Sequence, residues 1–402
     1  MTKPRVLALA TTFPRSMADT TPRFVLELSE RLTSHYAMTI LAPHHPGAKK
    51  QEIMGHLDVH RFAYFKPESL QRLCYDGGII PNMRKSVLAK IQMPFLIVSE
   101  FFSALSLAKK SKSQLIHAHW ILPQGVVGVW VKKMTGIPLL VTIHGSDLFP
   151  LKSPLFLRLQ KMVVKNANMI TVNSLATQGE LLKRFPEAEK KTVLIPMGVN
   201  IAHFKPRKVS PSMEYKGKKI ILFVGRLSDQ KGVQHLIEAL PKIQKKHKDT
   251  ILLIIGDGPY KPTLEEVAYE NKVSDTIKFL GALSQEEIAY YYNFCDVFVL
   301  PALSNETGTE ALGLALLEAM ASGCAVVGTN VGGIPSAIAN NKNGLLVEQK
   351  DPEALSKAID TLLSHPIKGN LLGRNAASSV QSKYSWESIS KRFLQVYAKV
   401  LR

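Results

Sequence analysis

Two glutamates separated by seven residues are the strongest chemical signal in the sequence. Glu310 and Glu318 flank the apolar stretch ALGLALL, which a polar SNETGT segment precedes and an AMASG segment follows. This pattern predicts a helix that begins near Gly313, with Glu310 in the preceding loop and Glu318 within the helix. The first turn would present the backbone amides of Gly313, Leu314 and Ala315 to an anion such as a diphosphate. Glu318 can then accept hydrogen bonds from a ribose diol, and Glu310 from sugar hydroxyls.

Two cations follow a predicted strand in the segment GRLSDQKG. Gly225 permits a tight exit from the strand IILFV, and Arg226 and Lys231 then supply positive charge beyond its end. Cations at such a point can neutralise a departing diphosphate. The segment GDGP at 256–259 follows the next strand, but it lacks the third glycine of the fingerprint G-x-G-x-x-G. The sequence therefore does not favour a nicotinamide-dependent oxidoreductase.

Short apolar strands alternate with longer segments of helical periodicity along the whole chain, which is typical of parallel sheets with helical crossovers. Seven strand candidates lie before residue 200 and six lie after residue 217, so we predict two doubly wound sheets. Ser385 should cap a final amphipathic helix. The predicted fold class is α/β, with two Rossmann-like domains that face each other across a deep crevice at the carboxyl ends of their strands.

The sequence is strongly basic, and most of the excess charge lies in its first half. The formal net charge is +19, of which residues 1–200 contribute +14, with 26 Lys and Arg against 12 Asp and Glu. Such a field attracts anionic lipid, nucleic acid and phosphorylated substrates alike. In proteins that bind single-stranded nucleic acid, aromatic residues lie among the basic ones, but here they do not lie among the lysine pairs. We therefore expect no nucleic-acid partner, and an anionic membrane surface stays a candidate partner.

The compartment follows from hydropathy and cysteine usage. No stretch reaches the roughly 18 apolar residues that span a bilayer, and the N-terminus is interpreted as a first strand rather than a signal segment. The three cysteines form no C-x-x-C pair, which suits a reducing compartment and argues against structural zinc. We expect a cytoplasmic protein, peripheral to the inner face of the plasma membrane if the segment 94–108 meets lipid. The alternative is that 94–108 is a buried helix.

Several motifs occur in one order and together resemble the family 4 retaining glycosyltransferases: GRL with KG, GDGP, TIKFLG, and E-x7-E followed by AMASG. The likeness extends through HAHW at 117–120, HGSD at 144–147 and PMGVNIAHFKP at 196–206, so it covers nearly the whole chain. The resemblance implies a GT-B fold. It implies an acceptor-binding domain at 1–200 with the C-terminal helix 385–402, and a domain at 206–384 that binds the nucleotide sugar.

The resemblance also implies roles for individual residues. Arg226 and Lys231 would bind the donor diphosphate, and Glu318 the ribose. Glu310 would contact the donor sugar, and His144 would lie near the reacting sugar. The backbone around two further residues would contact the base, Phe279 and Leu280.

The substrates that the resemblance implies are a nucleotide sugar and a glycan, glycolipid or lipid-linked acceptor, in the synthesis of cell-surface polysaccharide or glycoconjugate. UDP-sugars and GDP-mannose both serve as donors in this family, and we favour a UDP-sugar that carries a hexose or N-acetylhexosamine. No cofactor is expected, since the nucleotide sugar is a substrate. The oligomeric state stays open.

The loop after the first strand departs from the family pattern, because it lacks the paired glycines that many relatives carry there. Arg15 and Asp19 can replace those contacts with side chains and bind the acceptor, or they can form a turn before a helix that begins at Pro22. His119 is a further candidate for the acceptor site. His117 and His119 can also point to opposite faces of a strand, with one of them in the core.

The sequence contains no D-x-D, the carboxylate pair that holds a metal in the other main transferase fold. We therefore expect no metal site, and transfer in which Arg226, Lys231 and the helix N-terminus stabilise charge on the leaving diphosphate. A leaving-phosphate oxygen can deprotonate the acceptor on the same face of the sugar, which retains configuration. In an alternative mechanism, Glu310 acts as a covalent nucleophile. Two other functions stay open, a sugar-nucleotide epimerase of the same fold and a non-catalytic basic module that binds membrane or nucleic acid.

Overall fold

The computed structural model describes residues 3–16, 19, 21–75, 78–305 and 308–402. Its internal contacts divide the chain into two compact units. The first comprises Met1–Asn173, Thr177–Ile195 and Ile389–Arg402, and the second comprises Ser174–Ala176 and Pro196–Ser388. The first unit is therefore built from segments that precede and follow the second in the sequence.

A sheet of eight strands, counted over the described residues, forms the centre of the first unit. Its strands are β1 (Arg5–Leu9), β2 (Ala37–Pro43), β3 (Gln51–Met54), β4 (Leu57–Phe62), β5 (Leu115–His119), β6 (Leu139–Ile143), β7 (Met169–Val172) and β8 (Thr192–Leu194). They lie in the order β3-β4-β2-β1-β5-β6-β7-β8, and the neighbours are parallel except for the antiparallel pair of β3 and β4. Every residue of β5, β6 and β7 is buried, as expected of parallel strands covered on both faces.

The strand β3 is a correction to the sequence analysis, which predicts seven strands in this half. β3 is a short edge strand, and Ile53 at its centre is 68% exposed. Its sequence, QEIM, lacks the run of β-branched residues that identifies the buried strands. An exposed edge strand carries little hydrophobic signal, so periodicity does not find it.

Six helices lie between the strands of the first sheet in the described sequence: α1 (Phe24–Leu32), α2 (Ile79–Lys85), α3 (Val87–Lys110), α4 (Gln124–Thr135), α5 (Pro154–Asn166) and α6 (Leu175–Arg184). The segment 94–108 lies in α3, which Ser86 caps by accepting a hydrogen bond from Ala89 N. By length and composition α3 is the one described helix that could cross a membrane. In the structure it packs along the first sheet with one face buried and the other exposed.

The second unit contains a parallel sheet of six strands over the described residues, as predicted. They are β9 (Lys219–Val224), β10 (Thr250–Ile255), β11 (Ile277–Gly281), β12 (Val297–Leu300), β13 (Val326–Thr329) and β14 (Leu345–Val347), in the order β11-β10-β9-β12-β13-β14. The helices are α7 (Val233–Lys246), α8 (Lys261–Glu270), α9 (Gln285–Phe294), α10 (Leu314–Ala321), α11 (Ile334–Ala337), α12 (Pro352–Ser364) and α13 (Pro366–Lys383). Short 3-10 turns of the second unit lie at Met213–Tyr215, Asp229–Lys231 and Ser274–Thr276, and those of the first unit lie at Glu68–Leu70 and Pro186–Lys191.

The final helix, α14 (Trp386–Val400), completes the core of the first unit. The Ser385 hydroxyl accepts a hydrogen bond from Ser388 N at 3.2 Å, so the predicted cap is confirmed. From Ile389 onward the helix belongs to the first unit, where the Tyr397 hydroxyl lies 2.8 Å from His117 Nδ1. Tyr397 is fully buried, so this contact supplies a polar partner in the interior.

A buried carboxyl group lies between α3 and α4. Glu100 is 0% exposed, and Gln124 Nε2 donates to its Oε2 at 3.2 Å. Burial raises the pKa of Glu100 to about 8, and the hydrogen bond from Gln124 offsets only part of this effect. Glu100 therefore holds its proton at neutral pH.

We expect this group to make the protein less stable as the pH rises from about 5 to about 8. An unfolded glutamate ionises near 4.5, whereas the folded pKa of Glu100 is about 8, so folding between these values takes up a proton at a cost of about 1.4 kcal/mol per pH unit. Glu100→Gln keeps the hydrogen bonding and should flatten this part of the pH dependence. Urea unfolding at several pH values measures the slope, with Glu265→Gln, an exposed substitution on α8, as control. Equal slopes for wild type and Glu100→Gln would refute the assignment.

Candidate active site

The strand order of each sheet reverses at one point, and doubly wound folds bind ligands at the carboxyl ends of the strands beside it. In the second unit this point lies between β9 and β12. The segments 225–232 and 308–313, which carry the predicted charged residues, follow these two strands in the sequence. In the first unit the point lies between β1 and β5, next to the loop 10–16 and the histidine at the end of β5.

An ion pair joins the two loops of the second unit. Lys231 Nζ lies 2.5 Å from Glu310 Oε2, and Gly313 N donates to Glu310 Oε1 at 3.1 Å. Burial acts to raise the pKa of Glu310, but the Lys231 ammonium and the backbone donors outweigh it and hold this pKa below its usual value. Glu310 is therefore a carboxylate with a partner on each oxygen. We expected the Gly313 amide to bind an anionic ligand. In the structure this amide donates to the Glu310 carboxylate instead.

The backbone of Glu310 is held by the loop that follows β13. Gly333 N donates to the Glu310 carbonyl at 2.8 Å. Gly332 has a φ of +56°, and a Cβ at this position would lie 1.9 Å from the same carbonyl oxygen. A glycine is needed here because any larger residue would push the Glu310 loop away. The sequence analysis assigns no role to Gly332 and Gly333, although two adjacent glycines in the segment NVGGIP indicate a tight loop.

The second glutamate of the motif lies on α10. This helix begins at Leu314 after the N-cap Gly313, so the predicted placement of the two glutamates, one in the loop and one in the helix, is confirmed. The Tyr292 hydroxyl of α9 donates to Glu318 Oε2 at 3.2 Å. Burial raises the pKa of Glu318 to about 7, and the hydrogen bond from Tyr292 opposes this rise. Glu318 is thus poised to change its charge near neutral pH. Sequence spacing could not identify Tyr292, which lies on a different helix.

The first turn of α10 adds backbone donors to the charged loops. Leu314 and Ala315 are half-buried at its start. Amides in the first turn of a helix have no partner within the helix. They also lie at its positive end, so this turn favours a bound anion.

The loops after β9 and β10 lie directly against each other. Gly256 has a φ of +128°, and a Cβ there would lie 2.0 Å from the Gly225 carbonyl oxygen. Leu227 N also donates to the Asp257 carbonyl at 2.9 Å. The GDGP segment therefore supports the loop that contains Arg226, which is exposed at the same strand end as Lys231.

The predicted base-contacting residues lie on β11, the edge strand of the second sheet. The register with β10 shifts here: Ile254 pairs with Phe279, Ile255 pairs with Gly281, and the pairing skips Leu280. A bulge of this kind redirects backbone groups away from the ladder. The Lys261 ammonium lies 5.7 Å from the centroid of the Phe279 ring.

The first unit holds a buried histidine cluster at the ends of β5 and β6. His117 and His119 are two residues apart in a strand, so they project from the same face, and their ring centroids are 4.1 Å apart. The alternative of opposite faces is therefore wrong. His117 is a core residue with both nitrogens in contact, at 2.8 Å from the Tyr397 hydroxyl and 2.7 Å from Thr142 Oγ1.

His119 has a different environment from His117. Its Nδ1 lies 3.3 Å from His144 Nε2, but its own Nε2 is buried with no hydrogen-bond partner among the described residues. Burial lowers the pKa of His144 to about 3, and burial together with both neighbouring histidines lowers that of His119 well below its usual value. Both rings are therefore neutral at pH 7. A buried ring nitrogen without a partner marks a place where a ligand oxygen can bind.

Aromatic rings and a carboxylate frame His144. The Trp120 and Phe24 rings lie 4.8 and 5.0 Å from the His144 ring, centroid to centroid. Trp120 has a φ of +81°, a strained value for a non-glycine residue that often marks a functional position. Asp147 accepts hydrogen bonds from Ile121 N at 2.5 Å and from His144 N at 3.1 Å, and so ties the two strand ends together. The sequence analysis quotes Trp120 in HAHW without assigning it a role.

The two candidates in the loop after β1 bind each other. Arg15 Nε lies 2.9 Å from Asp19 Oδ2, which also accepts from Arg15 N at 2.7 Å and from Thr21 Oγ1 at 3.0 Å. Burial opposes the effect, but these donors hold the pKa of Asp19 below its usual range. Asp19 therefore closes a turn. The helix that follows begins at Phe24 and not at Pro22 as expected.

Two family models match consecutive parts of the chain. The model described as Glycosyltransferase Family 4 matches residues 21–203, and the model described as Glycosyl transferases group 1 matches residues 205–379. An uncharacterized glycosyltransferase of Methanocaldococcus jannaschii is 30% identical over 76% of this chain and 82% of its own length. The GDP-mannose-dependent alpha-(1-6)-phosphatidylinositol monomannoside mannosyltransferase of Mycobacterium tuberculosis is 26% identical over 63% of this chain and 67% of its own length.

Two solved structures have similar folds over nearly the whole chain. Sucrose-phosphate synthase from Thermosynechococcus elongatus has a TM-score of 0.82 at 24% identity and covers 99% of both chains. HepE of Anabaena, in complex with UDP and glucose, has a TM-score of 0.75 at 18% identity over 98% of this chain and 100% of its own. The fold is thus GT-B, and the chain belongs to the family 4 glycosyltransferases.

Proposed function

We propose that the protein transfers a hexose or N-acetylhexosamine from a UDP-sugar to an acceptor, with retention of configuration and without a metal ion. The observation that carries this proposal is the Lys231–Glu310 pair at the start of α10. It places a cation, a carboxylate and a helix N-terminus at the switch point of the second sheet, where a sugar diphosphate needs a cationic partner at one end and hydrogen-bond acceptors at the other.

The diphosphate would lie against Lys231, Arg226 and the first-turn amides of Leu314 and Ala315. As the bond between the sugar and the diphosphate breaks, its electron pair passes to the departing phosphate oxygen. Fixed cations and backbone dipoles stabilise that charge without having to reorganise. This arrangement can replace the divalent ion that other transferases hold between two aspartates.

The nucleoside would bind along the same sheet edge. Glu318, held by Tyr292, can accept hydrogen bonds from the two ribose hydroxyls when it is ionised. The bulge that skips Leu280 offers backbone groups for the base. We favour uridine; HepE of Anabaena was solved with UDP, whereas the mycobacterial relative is named for GDP-mannose.

The state of Glu310 supports direct transfer over a covalent intermediate. Both of its oxygens have partners, Lys231 on one side and Gly313 N on the other, and its lowered pKa makes it a weak nucleophile. We propose instead that a leaving-phosphate oxygen takes the proton from the acceptor hydroxyl while the acceptor oxygen bonds to the anomeric carbon on the same face. Glu310 then serves to orient a hydroxyl of the donor sugar.

The neutral histidines of the first unit would bind sugar hydroxyls. Whichever tautomer is present, His119 Nε2 offers either one donor or one acceptor, and the Trp120 ring provides an apolar surface for a sugar ring. We propose a glycan, glycolipid or lipid-linked acceptor, and a role in cell-surface polysaccharide or glycoconjugate synthesis at the cytoplasmic side of the membrane. An epimerase of this fold would convert the nucleotide sugar without any acceptor, so a requirement for an acceptor separates the two functions.

Arg226→Ala and Lys231→Ala should each lower turnover by about two orders of magnitude or more, since each removes charge stabilisation worth several kcal/mol from the leaving group. Steady-state kinetics with UDP-sugars measure the effect, and a thermal melt checks that each variant is folded. Lys245→Ala, at an exposed position of α7, is the matched control and should leave turnover unchanged. Near-normal turnover in both site variants would remove this loop from the mechanism.

Turnover should survive exhaustive treatment with EDTA, because Lys231, Arg226 and the α10 amides carry out the charge neutralisation that a metal would otherwise supply. The assay compares chelated enzyme with enzyme supplied with magnesium or manganese. A complete loss of activity that a divalent ion restores would contradict metal-independent transfer.

UDP affinity should increase with pH through about 7, where Glu318 ionises. Below this value ribose binding must displace a proton, and above it the carboxylate is already available, so Kd should fall up to about tenfold between pH 6 and 8. Calorimetric titration of UDP and of GDP measures this, and we expect UDP to bind more tightly. In Glu318→Gln the affinity should be lower and should lose this component of the pH dependence. An unchanged profile in the variant would exclude Glu318 from ribose binding.

A further inference from the structure

The outer face of α3 is apolar along most of the helix, although it is exposed. Five large hydrophobic residues spaced along one side of this helix are 51 to 71% exposed: Val87, Ile91, Phe95, Val98 and Phe102. The inward side packs on the core through hydrophobic residues such as Leu96 and Ile97, so α3 is apolar on both sides. A helix of a soluble domain normally directs polar residues outward, so this exposed stripe is suited to a second apolar environment.

The neighbouring helix extends the apolar stripe. Trp130 and Met134 of α4 are 37 and 63% exposed, and the Trp130 ring lies 5.8 Å from Phe101 of α3, centroid to centroid. We call the stripe and these two residues the α3/α4 face. Of the chain's three tryptophans, Trp130 is the one with substantial exposure; the other two, Trp120 and Trp386, are 8 and 4% exposed. Aromatic side chains of this kind favour the interface between hydrocarbon and water.

Exposed cations lie beside the α3/α4 face, and they form no ion pair with an acidic side chain among the described residues. The helices α2, α3 and α4, all of whose residues are described, contain seven lysines and arginines and one acid, the buried Glu100. Exposed cations lie at both ends of the stripe: Lys85 and Lys90 near its start, and Lys109 and Lys110 at its end. This combination of a central apolar stripe and basic ends matches a surface of hydrocarbon covered by anionic headgroups.

A polar cavity opens at the N-terminal end of the same helix. It has a volume of about 570 Å³, and its lining includes His45, Arg72, Lys85, and Ser86, the N-cap of α3. Two exposed cations and a helix N-terminus are suitable partners for a phosphate group. The apolar stripe begins at Val87, next to this lining, so one lipid could place its phosphate in the cavity and its chains along the stripe.

We propose that the α3/α4 face docks on an anionic phospholipid bilayer, with the stripe at the boundary of headgroups and hydrocarbon and the cationic cavity on a lipid phosphate. This inference concerns where the enzyme works and goes beyond the transfer reaction. A second copy of the chain is the less suitable occupant. In a two-fold dimer through this face, the basic end of one stripe would meet a basic end of the other whichever way the helices run, and like charges would oppose association.

The test uses the full chain and vesicles of defined composition. At low ionic strength we expect co-sedimentation with phosphatidylglycerol vesicles at least about tenfold stronger than with phosphatidylcholine vesicles, and a marked loss at about 0.5 M salt. The triple variant Ile91→Gln, Val98→Gln, Phe102→Gln should bind phosphatidylglycerol at least about tenfold more weakly than wild type. The matched control Ile367→Gln, Leu371→Gln changes two exposed apolar residues of α13 and should bind like wild type.

A second measurement locates the contact. Brominated phosphatidylglycerol should quench part of the tryptophan fluorescence of wild type, and Trp130→Phe should remove that quenched part. Equal binding by the triple variant and wild type, equal weakening in the control, or quenching that survives Trp130→Phe would each overturn the proposal. Light scattering that shows a dimer which the triple variant dissociates would also overturn it and make this face an interface between copies.

These outcomes are independent of the proposed function. If the protein binds UDP and transfers sugar but does not bind vesicles, only the docking proposal is refuted. If it binds vesicles but no nucleotide, only the proposed function is refuted.

Discussion

The structure depends on one constraint, the burial of parallel strands on both faces. Strands such as β5, β6, β12 and β13 are buried at every residue, so they consist mostly of apolar side chains. Most polar groups with chemical function must therefore lie where the strands end. In each sheet the carboxyl ends beside the switch point collect such groups, which is why residues as distant in sequence as Lys231 and Glu310 come within 2.5 Å.

Some polar residues within the first sheet satisfy one another. His117, Thr142 and Thr171 lie on neighbouring strands of the first sheet, and Thr142 Oγ1 is 2.7 Å from His117 and 2.6 Å from Thr171. Such a network positions the rings at the strand ends. The two candidate sites differ accordingly: charged groups at loop ends characterise the second unit, and neutral imidazoles held by a buried network characterise the first.

The same constraint explains what the sequence could predict. Buried strands and the loops after them have strong local patterns, so the six strands of the second sheet, the start of α10 and the placement of Glu310 and Glu318 followed from spacing. The remaining features depend on contacts between distant segments. Tyr292 reaches Glu318 from another helix, and Gly332 matters because of a carbonyl oxygen far away in the sequence. The exposed edge strand β3 lacks the apolar run that identifies buried strands, so patterning alone could not identify it.

The placement of α14 has a consequence for biosynthesis. Residues from Ile389 onward belong to the first unit, although they follow the entire second unit in the sequence. During synthesis on the ribosome, the core of the first unit therefore stays incomplete until Phe393 and Tyr397 have emerged. Until then the buried His117 lacks its contacts with these two side chains. Domains commonly fold in order as they leave the ribosome. In this chain the second unit can fold before the first is complete, because all of its segments precede Ile389.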